Sequence, residues 1–114
     1  RVASRGLGDV YKRQTLEISA VAIIVEKLFK VEDYKGIIAL APMINNSVIQ
    51  LGSRSDAQDK NANNLINLSY FYLGASYLME DDIERGREAL LFAKKRAKDK
   101  KFLKAINNYL SQAE

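Results

Sequence analysis

The stretch Tyr70–Ala93, YFYLGASYLMEDDIERGREALLFA, decides how this chain folds. Its apolar residues recur at steps of three and four, the spacing of a helix face, and strand-like alternation is absent. Carried back to Asn64, the pattern puts Leu65, Leu68, Tyr72, Ala75 and Met79 on one face. Leu73 and Tyr77 add a second face. A helix that is apolar over so much of its circumference must be covered on two sides. Glu80, Asp81 and Asp82 then interrupt it. Asp81 followed by Glu84 three residues later matches a capping-box variant, which satisfies orphan amides at a new helix start. Ile83, Gly86, Leu90, Ala93 and Ala97 mark one face of that second helix. Acid at its start and Lys94, Lys95, Arg96 and Lys98 at its end suit the helix dipole. Gly74 and Gly86 lie inside these two helices. A mid-helix glycine costs about 1 kcal/mol relative to alanine, so each needs a packing reason.

Working outward, Lys100 to Gln112 carries Phe102, Ala105, Ile106, Tyr109 and Leu110 at i, i+3, i+4, i+7 and i+8, the stripe of a half-buried helix. Lys101, Lys104, Asn107, Asn108 and Ser111 form its wet side, as a terminal capping helix requires. Upstream, Thr15 to Lys30 is rich in Ile, Val, Ala and Leu all round and is expected to be buried. Asp33 is placed to cap a helix through Ile37, Ile38, Leu40 and Ile44, reaching Leu51. Pro42 falls inside that helix and predicts a kink or break near Ala41. The polar stretch from Gly52 to Asn63 reads as a loop. Asn61, Asn63 and Asn64 read as loop and capping residues.

The pattern Tyr70-x-x-Leu73-Gly74-x-x-Tyr77, followed by Gly86-x-x-x-Leu90-x-x-Ala93, resembles one tetratricopeptide repeat. The resemblance covers about a third of the chain and implies particular jobs for its residues. Gly74 and Gly86 would let paired helices approach closely. Tyr70 and Tyr77 would stack along the groove between them, with Leu90 and Ala93 filling it from the other side. Tyr70 stands where the family usually has tryptophan, and Lys98 where it usually has proline. Aligning Tyr34 with Ile83 gives an upstream pair offset by 83 − 34 = 49 residues, against a family period of about 34. The earlier pair therefore has a lengthened second helix or linker.

The resemblance implies an all-α fold: a right-handed stack of antiparallel helix pairs, a tetratricopeptide-like α-α superhelix, with a C-terminal capping helix. It also implies a partner-binding wall formed by Leu68, Phe71, Ala75, Leu78 and Met79. In the best-known family groove, Lys and Asn on this wall clamp a terminal carboxylate. Phe71 and Ala75 hold the matching positions here, so that clamp is missing and the wall suits a hydrophobic or helical segment. The competing expectation is that the wall packs against the chain's own helices, the common fate of an apolar face.

The first fourteen residues read differently. Asp9-Val10-Tyr11-Lys12-Arg13-Gln14 matches, codon by codon, GAT GTG TAT AAG AGA CAG. That segment resembles the translation of an adapter used in transposase-based sequencing libraries. Residues 1–14 are thus expected to be a non-native tail, and residues 15–114 the helical repeat domain. Stacked pairs need about three repeats for independent stability, so further repeats are expected upstream of Thr15. The tail holds Arg1, Arg5, Lys12 and Arg13 among the 18 basic residues and Asp9 among the 14 acidic ones. Without it the net charge falls from +4 to +1, and whole-chain charge argues for no anionic partner. Gly6-Leu7-Gly8 is no phosphate loop, lacking a third glycine and a preceding strand.

The chain has no cysteine and no histidine. Disulfides, thiolate chemistry and the usual zinc sites are excluded, and the common general base is missing. No apolar run reaches the roughly 18 residues that span a bilayer. Glu80, Asp81, Asp82 and Glu84 lack the spacing and the turn glycine of a calcium loop. Lys94, Lys95, Arg96, Lys98, Lys100, Lys101 and Lys104 form a basic run that suggests a rival function, nucleic-acid binding. Solvated helix ends and dipole complementarity account for the run more simply. The expected function is protein–protein interaction without catalysis, cofactor or metal. A further alternative is the regulatory C-terminal part of a larger protein.

Overall fold

The computed structural model describes residues 19–52 and 60–113. The adapter-like tail, the first four residues of the expected opening helix and most of the expected loop lie outside these ranges. Among the described residues every regular element is a helix. These are α1 (residues 19–30), α2 (Tyr34–Ala39), α3 (Ala41–Gly52), α4 (Lys60–Met79), α5 (Ile83–Arg96) and α6 (Lys100–Gln112).

Two of the connections are the same turn. Between α1 and α2, Glu32 takes a left-handed φ of 60°; between α4 and α5, Asp81 takes 65°. The amide of the next residue reaches back five positions, Asp33 to the Leu28 carbonyl and Asp82 to the Tyr77 carbonyl, both at 2.8 Å. The left-handed residue itself bonds three positions back, Glu32 to Phe29 and Asp81 to Leu78, both at 3.1 Å. This pair of bonds ends a helix by satisfying its last carbonyls. The aspartate that follows then starts the next helix. Asp33 accepts from the Gly36 amide at 3.0 Å and Asp82 from the Arg85 amide at 3.2 Å. Bond for bond, the two turns are related by 82 − 33 = 49 positions, the offset read from the sequence. The capping residue is therefore Asp82 and not Asp81. Asp81 is already committed to closing α4, which removes the expected Asp81–Glu84 capping box.

Pro42 breaks the helix as expected. It sits in the first turn of α3, where its missing N–H costs nothing. The chain re-forms its bonding around it: Leu40 donates to the Ile37 carbonyl at 2.9 Å and Ile44 donates to Leu40 at 3.0 Å. α2 and α3 together make the lengthened second arm of the first pair. Downstream, the expected loop is shorter than read. α4 begins at Lys60, so Asn61, Asn63 and Asn64 are helical and not loop or cap residues. The side-chain amide of Asn63 is taken up by a tertiary partner, Arg96.

α4 is the central element. It packs most extensively on α5 and also touches α2 and α3, while α6 lies on α5. The largest fully buried side chains are Ile37, Ile44, Ile66, Leu90, Ile106 and Val25. The buried hydroxyls of Ser69 and Ser76 bond the carbonyls one turn back, Leu65 and Tyr72, at 2.8 and 2.7 Å. That is the usual way a helix accommodates a buried serine. α1 is not buried all round, against expectation. Val21, Ala22 and Val25 face the core, but Ile23 is 54% and Ile24 46% exposed. The described helices cover α1 on one side only.

The backbones of α4 and α5 approach closely at Gly74 and Gly86, with Leu90 and Leu78 packed onto the glycines. A Cβ added at Gly74 would lie 2.6 Å from Leu90 Cγ and 3.0 Å from the Gly86 carbonyl oxygen. One added at Gly86 would lie 2.7 Å from Leu78 Cδ2 and 3.0 Å from the Gly74 oxygen. Both positions have ordinary helical φ, so close approach and not backbone freedom is what demands glycine. In the first pair, 49 residues earlier, the equivalent positions are Val25 and Ile37, both fully buried. Both side chains belong to the hydrophobic core.

Gly74→Ala is expected to destabilise the domain by about 1–3 kcal/mol through overpacking, despite alanine's better helix propensity. Gly74→Leu is expected to abolish folding. Urea unfolding reads both; an unchanged midpoint for Gly74→Leu would contradict the crossing. Burial raises the phenol of Tyr70, with Arg96 opposing, and that of Tyr72, with Glu26 adding to it. A raised folded value means that the fold disfavours phenolate. Stability should hold below the ordinary value of 10.0 and fall as pH rises through the folded values. A melting temperature flat across that alkaline range would contradict the burial of these rings.

Candidate functional site

The five residues of the expected partner wall separate into two groups. Ala75 is fully buried, and Phe71 is covered by α6. The Phe71 ring stands edge-on to Phe102 at 5.3 Å and to Tyr109 at 5.4 Å between centroids. Leu78 lies over Gly86, in contact range of any Cβ placed there. Phe71 and Leu78 are half-buried. Leu68 is half-buried, and Met79 is 47% exposed. The middle of the wall is thus occupied by the chain's own helices, chiefly α6. Aromatic edge-to-face contacts of this kind add about 0.5–1.5 kcal/mol each beyond area burial. Arg87 reinforces the seating of α6 by donating to the Ala113 carbonyl at 2.6 Å.

Two open grooves flank the α4–α5 pair. The first, about 530 Å³, runs beside Ala41, Asn45, Tyr70, Leu91 and Phe92. Tyr70 stacks on Phe92 with centroids 4.4 Å apart and donates its hydroxyl to Asn45 of α3. The expected stacking role of Tyr70 is therefore met by Phe92. The second groove, about 990 Å³, lies where the start of α4 meets the junction of α5 and α6. Its lining includes Leu68, Ala97 and Phe102, with Lys95, Arg96 and Lys98 beside them.

The basic run is thus split in three. Lys94 and Lys95 point out from the last turn of α5, Lys98 lies in the connection, and Lys100, Lys101 and Lys104 lie on α6; all six are exposed. Arg96 is different. It turns toward α4, where its Nε donates to Asn67 Oδ1 at 3.1 Å and an Nη to Asn63 Oδ1. Its guanidinium carbon lies 5.3 Å from the Phe92 centroid, a cation–π geometry. Asp99, which lies within the run, is the N-cap of α6, accepting from the Phe102 amide at 3.1 Å. Its place just before the apolar stripe was a visible cap signal. The asparagine pair also left a signal, since Asn63 and Asn67 are one turn apart and share a face. The direction of Arg96 left none.

Among the described residues no three carboxylates gather as a metal-holding group. No helix there is long and apolar enough to cross a membrane. No protein-family model matches this chain, and no curated protein or solved structure matches it.

Phe71→Ala is expected to cost about 3–5 kcal/mol and to release α6 first. Native-state hydrogen exchange should show the α6 amides losing protection more than those of α4 and α5. Equal loss throughout would mean that Phe71 does not hold α6.

Proposed function

We propose that this chain is a protein-interaction module built from tetratricopeptide-like helix pairs, stacked with a right-handed twist and closed by α6. The single observation that carries the reading is the recurrence of one helix–turn–helix unit, hydrogen bond for hydrogen bond, at a spacing of 49 residues. Repeating one unit lengthens a surface, and such extended surfaces are used to bind partner segments. The glycine crossing of α4 and α5 adds support, because it is the packing that the repeat pattern implies.

The proposed mechanism is burial of a partner's apolar side chains on the accessible ends of the α4 face. Leu68 and Met79 are the contacts, while Phe71, Ala75 and Leu78 hold the face in shape. Burial stabilises such a complex by about 25 cal/mol for each Å² of apolar surface removed from water. The role needs no bond-making chemistry and no cofactor.

A random peptide library displayed on phage is expected to yield binders. Their affinity should fall at least about tenfold, or about 1.4 kcal/mol, on Leu68→Asp or Met79→Asp, with helicity and melting temperature retained. Met79 is the cleaner site, being exposed. Failure to enrich any binder contradicts the reading, as would binders indifferent to both substitutions.

A further inference from the structure

The second groove contains a guanidinium whose charge has no counterpart among the described residues. Arg96 has five N–H donors in a planar fork. Its partners are two neutral amide oxygens and a phenyl ring. No ion pair to it occurs among the described residues; the pairs present are Lys30–Glu26, Lys35–Glu80 and Arg85–Asp82. Dipole complementarity does not account for its position, because its bonds go across to α4 and not to the last carbonyls of α5. Asn67 is only 6% exposed, so one prong of the fork is fixed by a buried amide. The nearest lining carboxylate, Asp99, is turned to the start of α6, where the Phe102 amide binds it. The site therefore holds a pre-oriented cation against an apolar floor of Leu68, Ala97 and Phe102, with Lys95 and Lys98 on its rim.

We propose that this groove binds a short acidic–apolar segment of a partner protein. A carboxylate of that segment would take the free donors of Arg96. A planar fork already held in place loses little freedom on pairing, which favours an oriented carboxylate over a diffuse cloud of charge. Lys95 and Lys98 steer the segment and attract its further acids. An apolar side chain next to the carboxylate covers Leu68 and Phe102. This inference rests on the module reading and names the chemistry of its partner.

The same basic residues do not make a nucleic-acid track. A single strand needs a run of stacking rings along a basic path. The groove presents one, Phe102, and it already packs on Phe71. Of the remaining lysines, Lys94 lies on α5 and Lys100, Lys101 and Lys104 lie on α6.

The test uses the full chain and a fluorescein-labelled synthetic peptide with leucines on one helical face and glutamates on the other. The same peptide with every glutamate replaced by lysine is the control, and an oligothymidylate is the nucleic-acid probe. The glutamate peptide should bind, the lysine peptide and the oligonucleotide should not, and added salt should weaken the complex. Lys98→Glu, on an exposed site, should weaken binding at least about tenfold without shifting the melting temperature. Arg96→Lys, which keeps the charge and loses the fork, should weaken it further than Lys95→Gln does. Equal binding of the two peptides overturns the proposal. So does tighter binding of the oligonucleotide, or indifference to Lys98→Glu. Library-selected peptides that bind through Met79 while the acidic probe fails would remove this groove and leave the module reading standing. Failure of both sets removes both.

Discussion

Two helical backbones touch at Gly74 and Gly86, and most of the second half of the chain is arranged around that contact. Each carbonyl oxygen lies 3.0 Å from where the other glycine's Cβ would be. Leu90 and Leu78 close over the gap from opposite sides. With α5 held this close along one flank, α4 needs apolar residues on its other flanks as well, where α2, α3 and α6 come in. That demand explains why Tyr70–Met79 carries so few polar residues. The buried serines of α4, Ser69 and Ser76, are bonded back into their own helix.

The recurring turn solves a second problem. Glu32 and Asp81 hold left-handed backbone without being glycine, a conformation that costs an L-residue about 1–2 kcal/mol. The two backward amide bonds that each turn makes, together with the aspartate cap immediately after, offset that cost. The repeat is thus preserved at the turn and not in the packing beneath it. The second pair meets through glycine, and the first pair carries Val25 and Ile37 at the equivalent positions. A sequence comparison confined to core residues would miss the relationship.

Much of this was legible before any coordinates. The helices over Asn64–Met79 and Lys100–Gln112, the break at Pro42, the glycine crossing and the offset between the pairs all follow from local spacing and residue shape. Other features depend on which neighbour arrives. Ile23 and Ile24 look like core residues, but nothing in their own segment says that only one side of α1 is covered. Asp81 and Asp82 compete for one cap, and the end of the preceding helix decides between them. Phe71 and Ala75 match a partner-facing pattern, yet α6 comes from outside that pattern and covers the ring. Arg96 is indistinguishable from its basic neighbours until its rotamer brings it to Asn63 and Asn67.

On the α4 face the Phe71 ring packs against the aromatic rings of α6, while Met79 at its end stays exposed. In the groove at the α5–α6 junction, the Arg96 guanidinium, which makes no ion pair among the described residues, lies beside apolar surface. All of it depends on α4 and α5 crossing at backbone distance. A nuclear Overhauser spectrum of the full chain measures that directly. A strong cross-peak between the α-protons of Gly74 and Gly86 is the expected result; its absence, with intrahelical cross-peaks on both helices intact, would contradict the account.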